Sequence, residues 1–390
     1  MIIKLGLGLS ALAALLGGCA GAPAGAPPPR ELVFYPNPPN PPRMQFLRSV
    51  SKATDLAPQQ SQSSLDTFLF GEQPQAEREI KRPGAIAHRD GVFFVTDTTL
   101  PGIWAIDLGE QTLEPVRIQG LGRLIQPMGL CFDADGCAYV ADRGRRQVVV
   151  LDREFEWVRA LGPWQEDSAP VDVTVWKDRL YVADVKARCI RVLSRETGEE
   201  LQTLGGSERP EEFLFGPAEV AVDAGGYVYV ADTVYCNLMV WDYDGKFVGR
   251  LASLGHGPGF LGRPKGIALL DDMVFLLDAR FTNCQIFDKN GFAQGFFGGP
   301  GPGPGTMNLP RKIWIGRDGI DLFADYVDPK FDAEAIIAVT NIFGTKVNFY
   351  AWGRHESFTY PDIQLPDRPE PKAKEVITNT PDLPNPRRRP

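Results

Sequence analysis

A four-residue phrase returns along this chain at a steady interval. Tyr139-Val140-Ala141-Asp142 recurs as Tyr181-Val182-Ala183-Asp184 and Tyr229-Val230-Ala231-Asp232. Looser copies are Phe94-Val95-Thr96-Asp97, Leu276-Leu277-Asp278 and Phe323-Ala324-Asp325. The six aspartates are separated by about 42 to 48 residues, the period of propeller blades. A second marker keeps the same interval. Pro83, Pro127, Pro170, Pro217, Pro264 and Pro310 each open an apolar strand about 14 residues before the aspartate. Two independent markers in phase restrict the chain to a repeat architecture.

The unit from Pro217 to Gly255 shows what each copy must fold into. Val220-Ala221-Val222 is an apolar run, and Asp223-Ala224-Gly225-Gly226 carries turn chemistry. Tyr227 to Ala231 is a second strand and Leu238 to Trp241 a third. Asp244-Gly245 signals a hairpin into a fourth strand, Lys246 to Leu251. Four short antiparallel strands make a blade that cannot bury both faces alone, so neighbours must stack and the ring must close. The expected fold is all-β, a six-bladed β-propeller of four-stranded antiparallel blades.

Pro-x-Gly-apolar, then Asp-x-x-Gly, Tyr-Val-Ala-Asp and a strand ending such as Cys284-Gln285-Ile286-Phe287-Asp288 resemble NHL repeats over about residues 80 to 353. The Asn-His-Leu triplet that names that family is reduced to Cys236-Asn237-Leu238. The resemblance therefore implies a fold and carries over no particular activity.

Expected boundaries follow. Residues 1–19 form a targeting segment: Lys4, then a short apolar core from Leu5 to Leu16, too short to span a bilayer stably. Leu16-Gly17-Gly18-Cys19 resembles the bacterial lipobox, which implies acylation of Cys19; the alternative is an ordinary signal peptide cut near Ala22-Pro23-Ala24. Ala20, in place of the Asp that resembles an inner-membrane retention signal, points to the outer membrane of the cell envelope. Residues 20–42 read as a Pro-rich linker, extended and unable to pack. Residues 43–79 hold a closing strand and a cover segment that includes Phe68-Leu69-Phe70; Arg43–Ser51 is expected to pair with the blade around 310–353. Residues 80–353 are the propeller, and 354–390 a disordered Pro-rich tail ending in Arg387-Arg388-Arg389-Pro390. The segment after Asp325 is longer than its counterparts, and longer loops on a rigid scaffold tend to carry binding.

The formal charge of −8 argues against nucleic acid, which needs a basic face. Besides Cys19 the cysteines are Cys131, Cys137, Cys189, Cys236 and Cys284, with no Cys-x-x-Cys pair for zinc or haem. Cys131 and Cys137 flank the turn Asp133-Ala134-Asp135-Gly136. A simple register puts Cys131 opposite Ala138, so a disulfide between them needs a bulge; the alternative is two thiols. His88, His256 and His355 hold non-equivalent positions and do not ring a channel. The histidine-bound zinc of the NHL-like peptide-amidating lyases is therefore absent.

Aligning the blades gives the candidate site. Two residues after each marker proline stand Ala85, Gly129, Asp172, Glu219, Gly266 and Lys312, close to the central channel. Small residues suit a crowded axis. Asp172, Glu219 and Lys312 break that rule, and charges near a narrow axis need partners or water. One reading is a channel-mouth site for a polar ligand or a divalent cation, with Asp172 and Glu219 as oxygen ligands. The other is a structural pair held by strand-end amides or basic neighbours such as Arg311. No Asn stands in the aligned ring, unlike the calcium sites of six-bladed lactonases. The marker aspartates read as caps of the following turns, not as a metal ring. The function expected first is a non-enzymatic, monomeric envelope lipoprotein acting as a protein-interaction scaffold. The resemblance to bacterial NHL lipoproteins implies a role accessory to an envelope or cytochrome complex. The alternative is a hydrolase, a lyase or a small-ligand binder built on the channel-mouth site.

Overall fold

Each marker proline sits opposite the end of the strand that follows it: Pro83 opposite Asp97, Pro127 opposite Asp142, Pro170 opposite Asp184, Pro217 opposite Asp232 and Pro264 opposite Asp278. The computed structural model in which this is seen describes residues 31–56, 78–206 and 209–361. Cys19, the targeting segment, Phe68-Leu69-Phe70 and the arginine-rich end lie outside the described residues.

Six antiparallel sheets form the blades. The innermost strands are Pro83–Arg89, Pro127–Phe132, Pro170–Trp176, Pro217–Val222, Pro264–Leu270 and Pro310–Gly316. They pack side by side all the way round, with the sixth back against the first. Blades 1 to 5 are built from consecutive strands. Blade 6 takes its outer strands from the other end of the chain: Met44–Val50 pairs with Lys346–His355, and Val33–Tyr35 pairs with Met44–Phe46. The second half of the expected linker is therefore packed. Tyr35 donates to the Gly305 carbonyl at 3.0 Å, and Pro36–Pro42 carries the chain between the two strands. The first residues of the expected tail are docked as well, since the Tyr360 hydroxyl donates to the Pro42 carbonyl at 2.5 Å.

The core is six slabs, one per blade interface. Strand alternation builds them. Tyr139 and Ala141 face blade 3, while Val140 faces blade 1. Both faces of each strand are buried, which is why Tyr-Val-Ala is apolar without interruption. The tyrosine also reaches the turn at the other end of its blade: Tyr139 and Tyr229 donate to Asp133 and Asp223 at 3.1 and 3.0 Å.

One expectation is corrected in blade 6, and of the two alternatives in blade 2 the structure has the thiols. Phe323-Ala324-Asp325 is not a strand end. It follows a short 3-10 turn, Ile320–Phe323, whose Phe323 is buried between blades 6 and 1. The strand equivalent is Phe331–Asn341, and Asn341 stands opposite Pro310. The long segment is filled structure: Gln45 donates to the Tyr326 carbonyl and accepts from Asp328 N–H, both at 2.9 Å. In blade 2, Cys131 and Cys137 are free thiols. The register places Phe132 opposite Ala138 and Cys131 opposite Tyr139, so no bulge brings the two sulfurs together.

Candidate functional site

The marker aspartates act as staples. Asp278 accepts from Gly262 and Arg263 N–H in the loop entering blade 5, and from Arg280 and Phe281 N–H in the turn after it. Asp97, Asp142, Asp184 and Asp232 repeat this pattern. Burial alone would raise the Asp184 pKa, but Ser168, Ala169 and Ala187 as donors and Arg191 nearby pull it below the ordinary value. These side chains are fully buried and committed to backbone amides.

Asp172, Glu219 and Lys312 meet at the axis. Lys312 belongs to blade 6, Asp172 to blade 3 directly across the ring, and Glu219 to blade 4. The Lys312 ammonium crosses the channel and lies 2.7 Å from Asp172 Oδ1 and 2.8 Å from Glu219 Oε1. The side chains are 13 %, 2 % and 3 % exposed. Asp172 Oδ2 also accepts from Val220 N–H of blade 4 at 3.0 Å, and Glu219 accepts from Ile267 N–H of blade 5. The three side chains thus tie four blades together. The ammonium occupies the place between the carboxylates where the sequence reading set a divalent cation.

Two carboxylates compete for one ammonium, and the proton distribution follows. Burial, with a further push from Asp172, raises Glu219 to about 8 despite Lys312. For Lys312, burial works downward, but Asp172 and Glu219 outweigh it and its pKa is raised. Lys312 bridges both carboxylates, and Glu219 is the one whose protonated form burial favours.

Close approach enforces the small residues of the ring. A Cβ on Gly129 would stand 2.7 Å from Asp172 Cα and 2.8 Å from Asp172 Oδ1. Gly129→Ala is therefore expected to cost roughly 1–3 kcal/mol through overpacking. Urea unfolding measures this, and an unchanged midpoint would contradict so tight an axis.

One residue earlier in each inner strand, the ring reads Gly84, Met128, Val171, Ala218, Lys265 and Arg311. Two of them meet across the ring: Arg311 Nη2 of blade 6 reaches Met128 Sδ of blade 2 at 3.3 Å, past Gly84. Burial, then Arg263 and Arg311, lower Lys265 to about 8. Burial and the neighbouring Arg82 and Arg143 lower Arg311, against the pull of Glu219 and Asp172. Sequence reasoning on the second position misses this ring; the same alignment shifted by one residue contains it.

The loops before the marker prolines and the turns after the marker aspartates share one face. Leu100, Leu121, Ile125, Val234, Phe260 and Phe343 on that face are 46–67 % exposed. Pro101, Arg123, Leu124, Ile125 and Arg145 line a cleft of about 530 Å³ there, between blades 1 and 2. On the opposite face Phe292 and Tyr243 are the large exposed apolar turn residues among those described. His88 is half-buried, stacked on Phe93 and Trp314, its pKa lowered mainly by burial.

No protein-family model matches the chain, and no curated protein does. Solved structures share its architecture at low identity. A Bacteroides thetaiotaomicron protein of unknown function is 14 % identical with a TM-score of 0.51 over 70 % of each chain. The virginiamycin B lyase of Staphylococcus aureus is 11 % identical with a TM-score of 0.50, over 78 % of this chain and 98 % of the lyase. Both similarities speak to the fold alone.

Proposed function

We propose that this chain is a non-enzymatic lipoprotein of the bacterial cell envelope, tethered through Cys19, whose propeller presents its loop face to a protein partner. The observation that carries the reading is the set of exposed apolar side chains on that face, Leu100, Leu121, Ile125, Val234, Phe260 and Phe343. They sit in loops spread over blades 1, 2, 4, 5 and 6, where they contribute nothing to an inter-blade core, and they outnumber Phe292 and Tyr243, the large apolar turn residues exposed on the opposite face among those described. Asp172 and Glu219 support the same side of the choice. The Lys312 ammonium already lies against both carboxylates and occupies the place a metal ion or a substrate cation would need. The lyase activity named for one structural neighbour is not carried over at 11 % identity.

The test is chemical cross-linking on intact cells with the wild type and with the triple variant Leu121→Ser, Val234→Ser, Phe343→Ser. The same partner should be captured by the wild type and by Phe292→Ser on the opposite face, and lost with the triple variant. Equal capture by all three chains would remove the loop face from the account.

A further inference from the structure

We infer that the mouth of the central channel is a binding site for a small organic anion with two or more negative charges, held by Lys265 and Arg311 inside the channel and by Arg82, Arg143 and Arg263 at its rim. These five cations lie on four successive blades: Arg263 and Lys265 on blade 5, Arg311 on blade 6, Arg82 on blade 1 and Arg143 on blade 2. Blades 3 and 4 offer Ala169, Val171, Gly216 and Ala218 at the matching positions, so the charge forms a crescent along one side of the mouth.

Among the described residues, none of the five has a carboxylate within ion-pairing distance, and the Arg311 guanidinium meets only the Met128 thioether, a weak acceptor. The acids that act on Arg311, Asp172 and Glu219, are already joined to Lys312 beneath, and the buried staples beside the rim arginines, Asp97, Asp142 and Asp278, are committed to backbone amides. Arg82, Arg143 and Arg263 are exposed; Lys265 and Arg311 are half-buried, and Arg311 reaches across to Met128. Burial first, and the neighbouring cations second, disfavour the charged forms of Lys265 and Arg311. On a chain of net charge −8, such a concentration of unpaired cations in a recess is a focused positive field. Guanidinium forks fit carboxylate and phosphate oxygens two at a time. A single negative charge would leave most of the crescent uncompensated, and the recess of Lys265 and Arg311 favours a small molecule over a flat surface.

The test is isothermal titration of the purified full-length chain with pyrophosphate and with citrate, and with acetate as the monovalent control. At least one of the two polyanions should bind one-to-one and at least tenfold more tightly than acetate; which one binds separates a phosphate ligand from a carboxylate ligand. Arg311→Gln and Lys265→Met should each weaken that binding roughly 10- to 100-fold, the scale of one charge-assisted contact. Neither should lower the thermal midpoint, because each removes like-charge repulsion. Arg143→Gln, exposed at the rim, gives the same direction of effect should an interior variant fail to fold. Polyanions that bind no better than acetate, or binding that survives these substitutions, would overturn the inference.

Discussion

Lys312→Met is expected to destabilise the propeller by about 3–5 kcal/mol, the cost of leaving buried charge without its partner. The substitution keeps the length of the side chain and removes the ammonium that stands 2.7 and 2.8 Å from two carboxylates only 2 % and 3 % exposed. Thermal unfolding should show a fall on the order of 10 °C. The pH dependence has a definite sign. Glu219 holds its proton in the folded protein up to about 8, against 4.5 ordinarily. Between those values the folded state binds the extra proton, so stability falls as pH rises through that window. Loss of Lys312 should carry the fall to higher pH, because Glu219 beside Asp172 without compensation would hold its proton longer. Glu219→Gln should flatten it, with a midpoint close to wild type at pH 5 and at or above wild type at pH 9. A Lys312→Met protein as stable as the wild type at pH 9 would show that the strut does not hold the ring.

The second large effect is expected at the staples. Asp278→Ala removes the acceptor of four backbone N–H groups, from Gly262, Arg263, Arg280 and Phe281. Orphaned buried donors cost about 1–3 kcal/mol each before relaxation, so a loss of roughly 3–5 kcal/mol is expected in chemical denaturation. Asp278→Asn should cost less, because one amide oxygen still accepts. Blade 6 already works this way: Asn341 accepts from Asn308 N–H at 2.9 Å and donates to the Val339 carbonyl at 3.2 Å. Equal losses for the alanine and asparagine variants would mean that the aspartate acts through its charge and not through its hydrogen bonds.

The staples also explain where the sequence was legible. A proline that opens an inner strand and an aspartate that closes the next are each fixed by backbone chemistry, so both are visible as letters, and blades 1 to 5 follow from them. Blade 6 misleads because the cap there is an amide. Asn341 does the work, and Asp325 happens to fall at the right interval inside a packed turn. Val33–Tyr35 looked like linker because prolines surround it, yet its strand completes blade 6. At the axis, charge at the second ring position could be read from an alignment of blades. That Lys312 crosses the channel to the opposite blade could not, because it depends on which strands face one another once the ring closes. The crescent of Lys265 and Arg311 was hidden for a different reason: the inner strands lose ladder register just after the marker proline, so lumen-facing positions do not follow simple alternation.

The most direct test of the scaffold reading is site-specific photo-cross-linking in intact cells, with the probe placed at Val234 on the loop face and, in a second strain, at Phe292 on the other. A discrete protein adduct is expected from Val234 and none from Phe292. An adduct from Phe292 with none from Val234, or none from either while the protein is folded and present at normal level, would contradict it.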